Sequence, residues 1–129
     1  MLKRIKYSDL NSRQKENYNF AKVSAVLADY GFTCIRLSDD YQGADFIALH
    51  ADGEQVLKVQ LKGRLTIEQR YIGKNIWVAF PHKGRWFMFP HDEAADALIR
   101  GGERGGFFSS GHLSAKQLEF LSPYQIGLP

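Results

Sequence analysis

A mixed β-sheet flanked by helices, in the order helix, three strands, two further strands and terminal helices, is the α/β (α+β) architecture this chain predicts. Three observations carry it: a helical periodicity over residues 11–30, a hairpin signal at Ala51-Asp52-Gly53, and two apolar, aromatic-rich runs either side of Pro81-His82-Lys83-Gly84. The 129 residues, 44% of them hydrophobic, are read as one domain, 1–129, large enough to build its own core. Cys34 is the single cysteine, so neither an internal disulfide nor a cysteine-based zinc centre is available, which suits a reducing cytoplasm. The basic start is followed by polar residues, which argues against a signal peptide, and no apolar run approaches the roughly 20 residues that span a bilayer.

The elements follow in order. Asn11 or Ser12 can cap the first helix, along which Phe20, Val23, Leu27 and Tyr30 recur at spacings of three and four before Gly31 stops it. Residues 32–38 read as a strand and 39–43 as a turn or loop. Strands are expected at 44–50 and 54–62, because Asp-Gly between apolar runs favours a two-residue turn with positive φ at both central positions. Residues 64–71 fit either a strand or an irregular connector. The second hairpin joins 75–80 to 85–89, after which Pro90 ends the strand and His91 or Asp92 can cap a short helix through Ile99. Residues 101–106 form a glycine-rich loop, and Ser114 caps a last helix before Ser122-Pro123.

Charge is distributed unevenly. Between Lys58 and Arg85 lie seven of the seventeen basic residues but only Glu68 of the fourteen acids, so the rest of the chain is net acidic. Such a concentration suits a polyanion, or else decorates the exposed faces of strands.

An Asp52-Gly53 turn sets a register in which 50 faces 55, 47 faces 58 and 45 faces 60. Opposed residues share one face of a sheet. Asp45 therefore meets Gln60, and Lys62, two residues on, projects to the same side. A carboxylate, an amide and an ammonium beside an apolar sheet must be paired, hydrated or bound to a metal. Together they make a cradle for a hard cation and a phosphate.

These residues carry a specific resemblance. Gly43-Ala44-Asp45-Phe46-Ile47, a short hairpin, then Leu57-Lys58-Val59-Gln60-Leu61-Lys62-Gly63 resembles the signature of the PD-(D/E)XK nuclease superfamily, with its restriction-endonuclease-like fold, over about residues 15–89. The resemblance is to the variant with glutamine in the triplet, as in some homing endonucleases, and small junction-resolving nucleases are also similar. It implies a metal-dependent endonuclease that hydrolyses DNA to leave a 5′-phosphate. Asp45, Gln60 and the Leu61 carbonyl would hold Mg²⁺ or Mn²⁺, and Lys62 would orient the attacking water and the phosphate. The family's first-helix glutamate falls at Phe20 here, with Glu16 one turn earlier as its substitute, and Gln60 replaces the usual acid. Lys58, Arg64, Arg70, Lys74, Lys83 and Arg85 are the expected contacts to the DNA backbone. A homodimer is expected, with the aromatic hairpin from Ile76 to Phe89 as its face. The alternatives are a catalytically silent nucleic-acid-binding relative and a protein-interaction module with a basic face.

Other constellations are weaker. His50, His82, His91 and His112 lack zinc-ligand spacing, and Ser109, Ser110 and His112 lack a nucleophile elbow. Cys34 and most of the strand aromatics read as core.

Overall fold

The structure, a computed structural model, describes residues 1–99 and 106–127. The first helix, α1 (Ser12–Ala28), is capped by Asn11. Its side chain accepts from the Gln14 N–H at 2.9 Å, while Gln14 Oε1 accepts from the Asn11 N–H, closing a capping box. The chain turns at Gly31 (φ +87°), where a Cβ would lie 2.9 Å from His50 Nε2, so only glycine fits. Tyr30 falls beyond the helix and its hydroxyl accepts from the Gly127 N–H at 3.0 Å.

The strands are β1 (Phe32–Tyr41), β2 (Ala44–His50), β3 (Val56–Leu61), β4 (Leu65–Ile67), β5 (Ile76–His82) and β6 (Arg85–Pro90). They are followed by α2 (His91–Leu98), β7 (Phe108–Ser110), α3 (Ala115–Leu121) and β8 (Gln125–Ile126). Among the described residues the main sheet runs β1-β2-β3-β5-β6-β8, with β3 and β5 parallel and the other neighbours antiparallel. The sheet is therefore mixed, as the sequence predicts. The ambiguous 64–71 stretch divides into β4, which pairs with β7 in a separate two-stranded sheet, and a 3-10 turn, Gln69–Tyr71. The expected glycine-rich loop, except Gly106, lies outside the described residues.

The β2–β3 register is the expected one: Phe46 pairs with Val59, Ile47 with Lys58, Ala48 with Leu57 and Leu49 with Val56. The bend that sets it is not the expected two-residue turn. The His50 N–H donates to the Gln55 carbonyl at 3.0 Å across a longer loop, within which only Gly53 takes a positive φ, +77°. Asp52 closes this loop through its side chain instead, accepting from the backbone N–H groups of Glu54 at 2.8 Å and Gln55 at 3.0 Å. Hydrogen bonds from the Gln55 side chain and from these two amides hold the Asp52 carboxyl well below the usual carboxylate range. The two-residue turn occurs in the second hairpin, where Lys83 (φ +50°) and Gly84 (φ +77°) join the paired His82 and Arg85.

Two apolar layers sandwich the sheet. Val23 and Leu27 of α1 pack on Phe46, Ala48, Val59 and Ala79, while Ile76, Val78, Phe80 and Phe89 on the other face meet Ala94 of α2 and Leu121 of α3. Strand β5 is covered on both sides, which explains its nearly continuous apolar run. The aromatic hairpin is consequently interior. Trp86, Phe87 and Phe89 are buried and Phe80 stacks on Phe87, so the expected dimer face is spent on the chain's own core. The expected cap of α2 is also corrected. Pro90 takes the N-cap position, because His91 is buried and Asp92 accepts from the Gly73 N–H. Ser114 caps α3 in a second capping box, as expected. No described helix is long and apolar enough to cross a membrane.

Candidate active site

Beyond the Phe46–Val59 rung the β2–β3 ladder ends, and a cavity of about 730 Å³ opens there. One wall comes from α1, with Arg13, Glu16, Asn19 and Phe20. A second comes from the irregular part of β1, where the register slips between Arg36 and Tyr41 and turns residues 36–40 over the opening. The floor is Asp45, Gln60, Leu61, Lys62 and Gly63. Asp45, Gln60, Lys62 and Glu16, predicted from the sequence, thus line one cavity.

Asp45 is half-buried, and its Oδ2 accepts from the Leu61 N–H at 2.8 Å, which ties the start of β2 to the end of β3. Burial raises the Asp45 carboxyl above its ordinary value. The Leu61 N–H and Lys62 pull it down, while Asp40 and Glu16 push with the burial. Next to it Gln60 is only 8% exposed, and its Oε1 is buried without a hydrogen-bond partner among the described residues. A buried, unpartnered amide oxygen is a costly feature in a folded chain. It has the character of a ligand for a hard cation, in the same cavity as the Asp45 carboxylate. Among the described residues no three His, Cys, Asp or Glu side chains group to hold a metal, so a cation here would take the amide oxygen of Gln60 together with the half-buried Asp45 carboxylate. The residues therefore fit a divalent cation. Glu16 stands at the exposed rim, 3.8 Å from Arg36 in an ion pair.

Lys62 is placed by its backbone N–H, which donates to the Ala79 carbonyl at 2.9 Å, and its ammonium lies 3.2 Å from Glu68 Oε1. The six expected DNA contacts do not share one surface. Arg64 donates to Ser109 Oγ at 2.8 Å beside Gly63, and Lys83 and Arg85 sit at the hairpin turn on the same sheet end as Lys62. Arg70 pairs with Glu68. Lys58 and Lys74 border a different, shallow cleft with Gln42, and the Lys58 ammonium is bonded to Gln42 Oε1 and the Lys74 carbonyl. The cavity instead recruits Arg13 and Arg36, together with Asp39 and Asp40. The charge run does not include them. A helical-face reading of Arg13 with Glu16 would have found the first pair, but nothing local announces the β1 irregularity that brings in the rest. Burial pushes the Cys34 thiol up, as befits a packing residue.

The helix and the three-stranded meander follow in the order that the sequence resemblance predicts, and the acid near the start of the second strand lines one cavity with the Gln-x-Lys at the end of the third. Among solved structures, the chain is similar to Hjc, a Holliday junction resolvase from the archaeal hyperthermophile Archaeoglobus fulgidus. The likeness covers 70% of this chain and 80% of that one at a TM-score of 0.50 and 16% identity. No protein-family model and no curated protein matches the sequence.

Proposed function

We propose that this protein is a metal-dependent endonuclease that hydrolyses phosphodiester bonds in DNA. The single observation that carries the reading is the unpartnered Gln60 Oε1 buried beside the Asp45 carboxylate in a cavity edged by Arg13, Arg36 and Lys62. Asp45, Gln60 and the Leu61 carbonyl would hold the cation, Mg²⁺ or Mn²⁺. When bound, it supplies neutralisation of the scissile phosphate and a lowered pKa for water. The Lys62 ammonium donates to a non-bridging phosphate oxygen and balances the charge that grows there. Arg13 and Arg36 pair with flanking phosphates without reading sequence, and Gly63, with open space where a Cβ would be, lets the strand come close. Arg64, Lys83 and Arg85 extend this surface along the same sheet end. Hjc, a Holliday junction resolvase, shares the fold, which supports DNA as the substrate and makes branched DNA the form to try first.

The test is incubation of wild type and Lys62→Ala with plasmid and four-way-junction DNA in Mg²⁺, Mn²⁺ and chelator. Wild type is expected to cut only with metal, and Lys62→Ala to cut roughly 10²–10³-fold more slowly while still retaining DNA at low salt. Equal cutting by both removes the site. Salt-sensitive retention without any cutting identifies the catalytically silent relative instead.

A homodimer is part of the proposal, because one cavity addresses one strand. Sedimentation at micromolar concentration is expected to give twice the 14.7 kDa chain mass, and a fully active monomer excludes the dimer.

A further inference from the structure

We propose that Glu68 is the positioning residue of Lys62, holding its ammonium at the cavity through a scaffold anchored on the buried His91; the inference rests on the nuclease reading above. Lys62 directly follows β3, and a lysine there could sweep a wide arc on its four-carbon stem. Here it does not. Its Nζ is 3.2 Å from Glu68 Oε1 and 5.5 Å from the centre of the Tyr71 ring, an acid on one side and an aromatic face on the other.

Glu68 is itself held at two further points. Its Oε2 accepts from Arg70 Nε at 2.5 Å, and Arg70 also donates to the Tyr71 hydroxyl at 3.0 Å. Its backbone N–H donates to His91 Nε2 at 3.0 Å. His91 is fully buried, so its ring cannot swing out, and the Tyr71 ring stands edge-on to it at 5.5 Å. Because Nε2 accepts, the neutral ring carries its proton on Nδ1, which faces Asp92 Oδ1 at 3.1 Å. Asp92 Oδ2 accepts in turn from the Gly73 N–H at 3.0 Å, closing the loop after Tyr71 against the first turn of α2.

A partly exposed ion pair of this kind adds little stability by itself and needs no such support. A buried histidine spent on the main chain of one acid makes sense where the acid's position matters. The acid belongs to the connector after β3 and the histidine to the start of α2, so the scaffold couples the cavity to the opposite layer of the fold.

The experiment is single-turnover cleavage at saturating enzyme by wild type, Glu68→Ala and Glu68→Gln. It is accompanied by DNA affinity measured in Ca²⁺ and by NMR order parameters of the Lys62 side-chain Cε. Glu68→Ala is expected to slow cleavage about 30–100-fold, the effect of a misplaced reacting group, with DNA affinity unchanged or tighter because an acid has left a basic neighbourhood. Glu68→Gln, which keeps an acceptor oxygen, should recover a large part of the rate. In Glu68→Ala the Lys62 Cε should become mobile. A cleavage rate within about threefold of wild type, or affinity and rate falling together with the melting temperature, overturns the proposal. If wild type cuts no DNA at all, the nuclease reading has failed by itself. The NMR measurement then still decides the positioning role, since an equally ordered Lys62 in Glu68→Ala excludes it.

Discussion

Asp45→Asn is expected to remove metal-dependent cleavage, by roughly 10³-fold or more, while making the metal-free protein more stable at neutral pH. The two effects share one cause. Asp45 is desolvated and lies in the field of Asp40 and Glu16, so the fold favours its protonated form and its carboxyl titrates above the ordinary value. A raised folded-state pKa means that the native chain binds the proton more tightly than the unfolded chain. The destabilisation is absent below the unfolded value, grows as pH rises between the two values, and is fully present above the folded one. Asparagine keeps an oxygen for the Leu61 N–H and carries no charge. Its melting temperature should therefore exceed that of wild type at pH near 7, with the gap closing as the pH is lowered through the carboxylate range. Adding Mg²⁺ should raise the melting temperature of wild type by mass action and leave Asp45→Asn unmoved. A variant that still cuts within about tenfold of wild type would show that the chemistry lies elsewhere.

Gln60→Glu should change metal dependence most. The side chain is 8% exposed and borders Asp45, so a second carboxylate there is both desolvated and repelled. Without metal, the variant is expected to lose roughly 2 kcal/mol of stability at neutral pH in denaturant unfolding. That loss shrinks as the pH falls, because the buried acid takes up its proton. With divalent cation the sign reverses. A second charged ligand should lower the metal concentration for half-maximal cleavage by about tenfold or more and restore the melting temperature. An unchanged metal midpoint, with the variant folded, would mean that Gln60 does not face the cation.

Much of the framework could be read along the chain because it depends on neighbours. Asn11 and Ser114 announce their helices through capping boxes formed within three residues. The β2–β3 register follows from the loop length and does not depend on the loop's chemistry. Asp52 bonding to the two amides after it spans the same number of residues as the turn expected there. Strands β7 and β8 are not legible in the sequence because they have only three and two residues and exist through partners distant in sequence.

The site divides in the same way. Asp45, Gln60 and Lys62 belong to adjacent strands of one hairpin, so alternation and register suffice to bring them to one place. The basic run did not predict the rim, because charge density along a chain says nothing about which sheet end or cleft each side chain reaches. Lys58 and Lys74 turn to another cleft, while Arg13 and Arg36, from outside the run, edge the cavity. Glu68 and His91, 23 residues apart, meet only because α2 packs over the connector that follows β3.

What the sequence determined by itself was therefore the order of elements, one hairpin register and the three groups that this register aligns, since capping, loop length and side-chain alternation act over a few residues. What the tertiary structure alone decided was which charges surround those groups and what holds the lysine in place. Those contacts depend on the slip in β1 and the docking of α1 and α2, which arise from burial summed over the whole sheet.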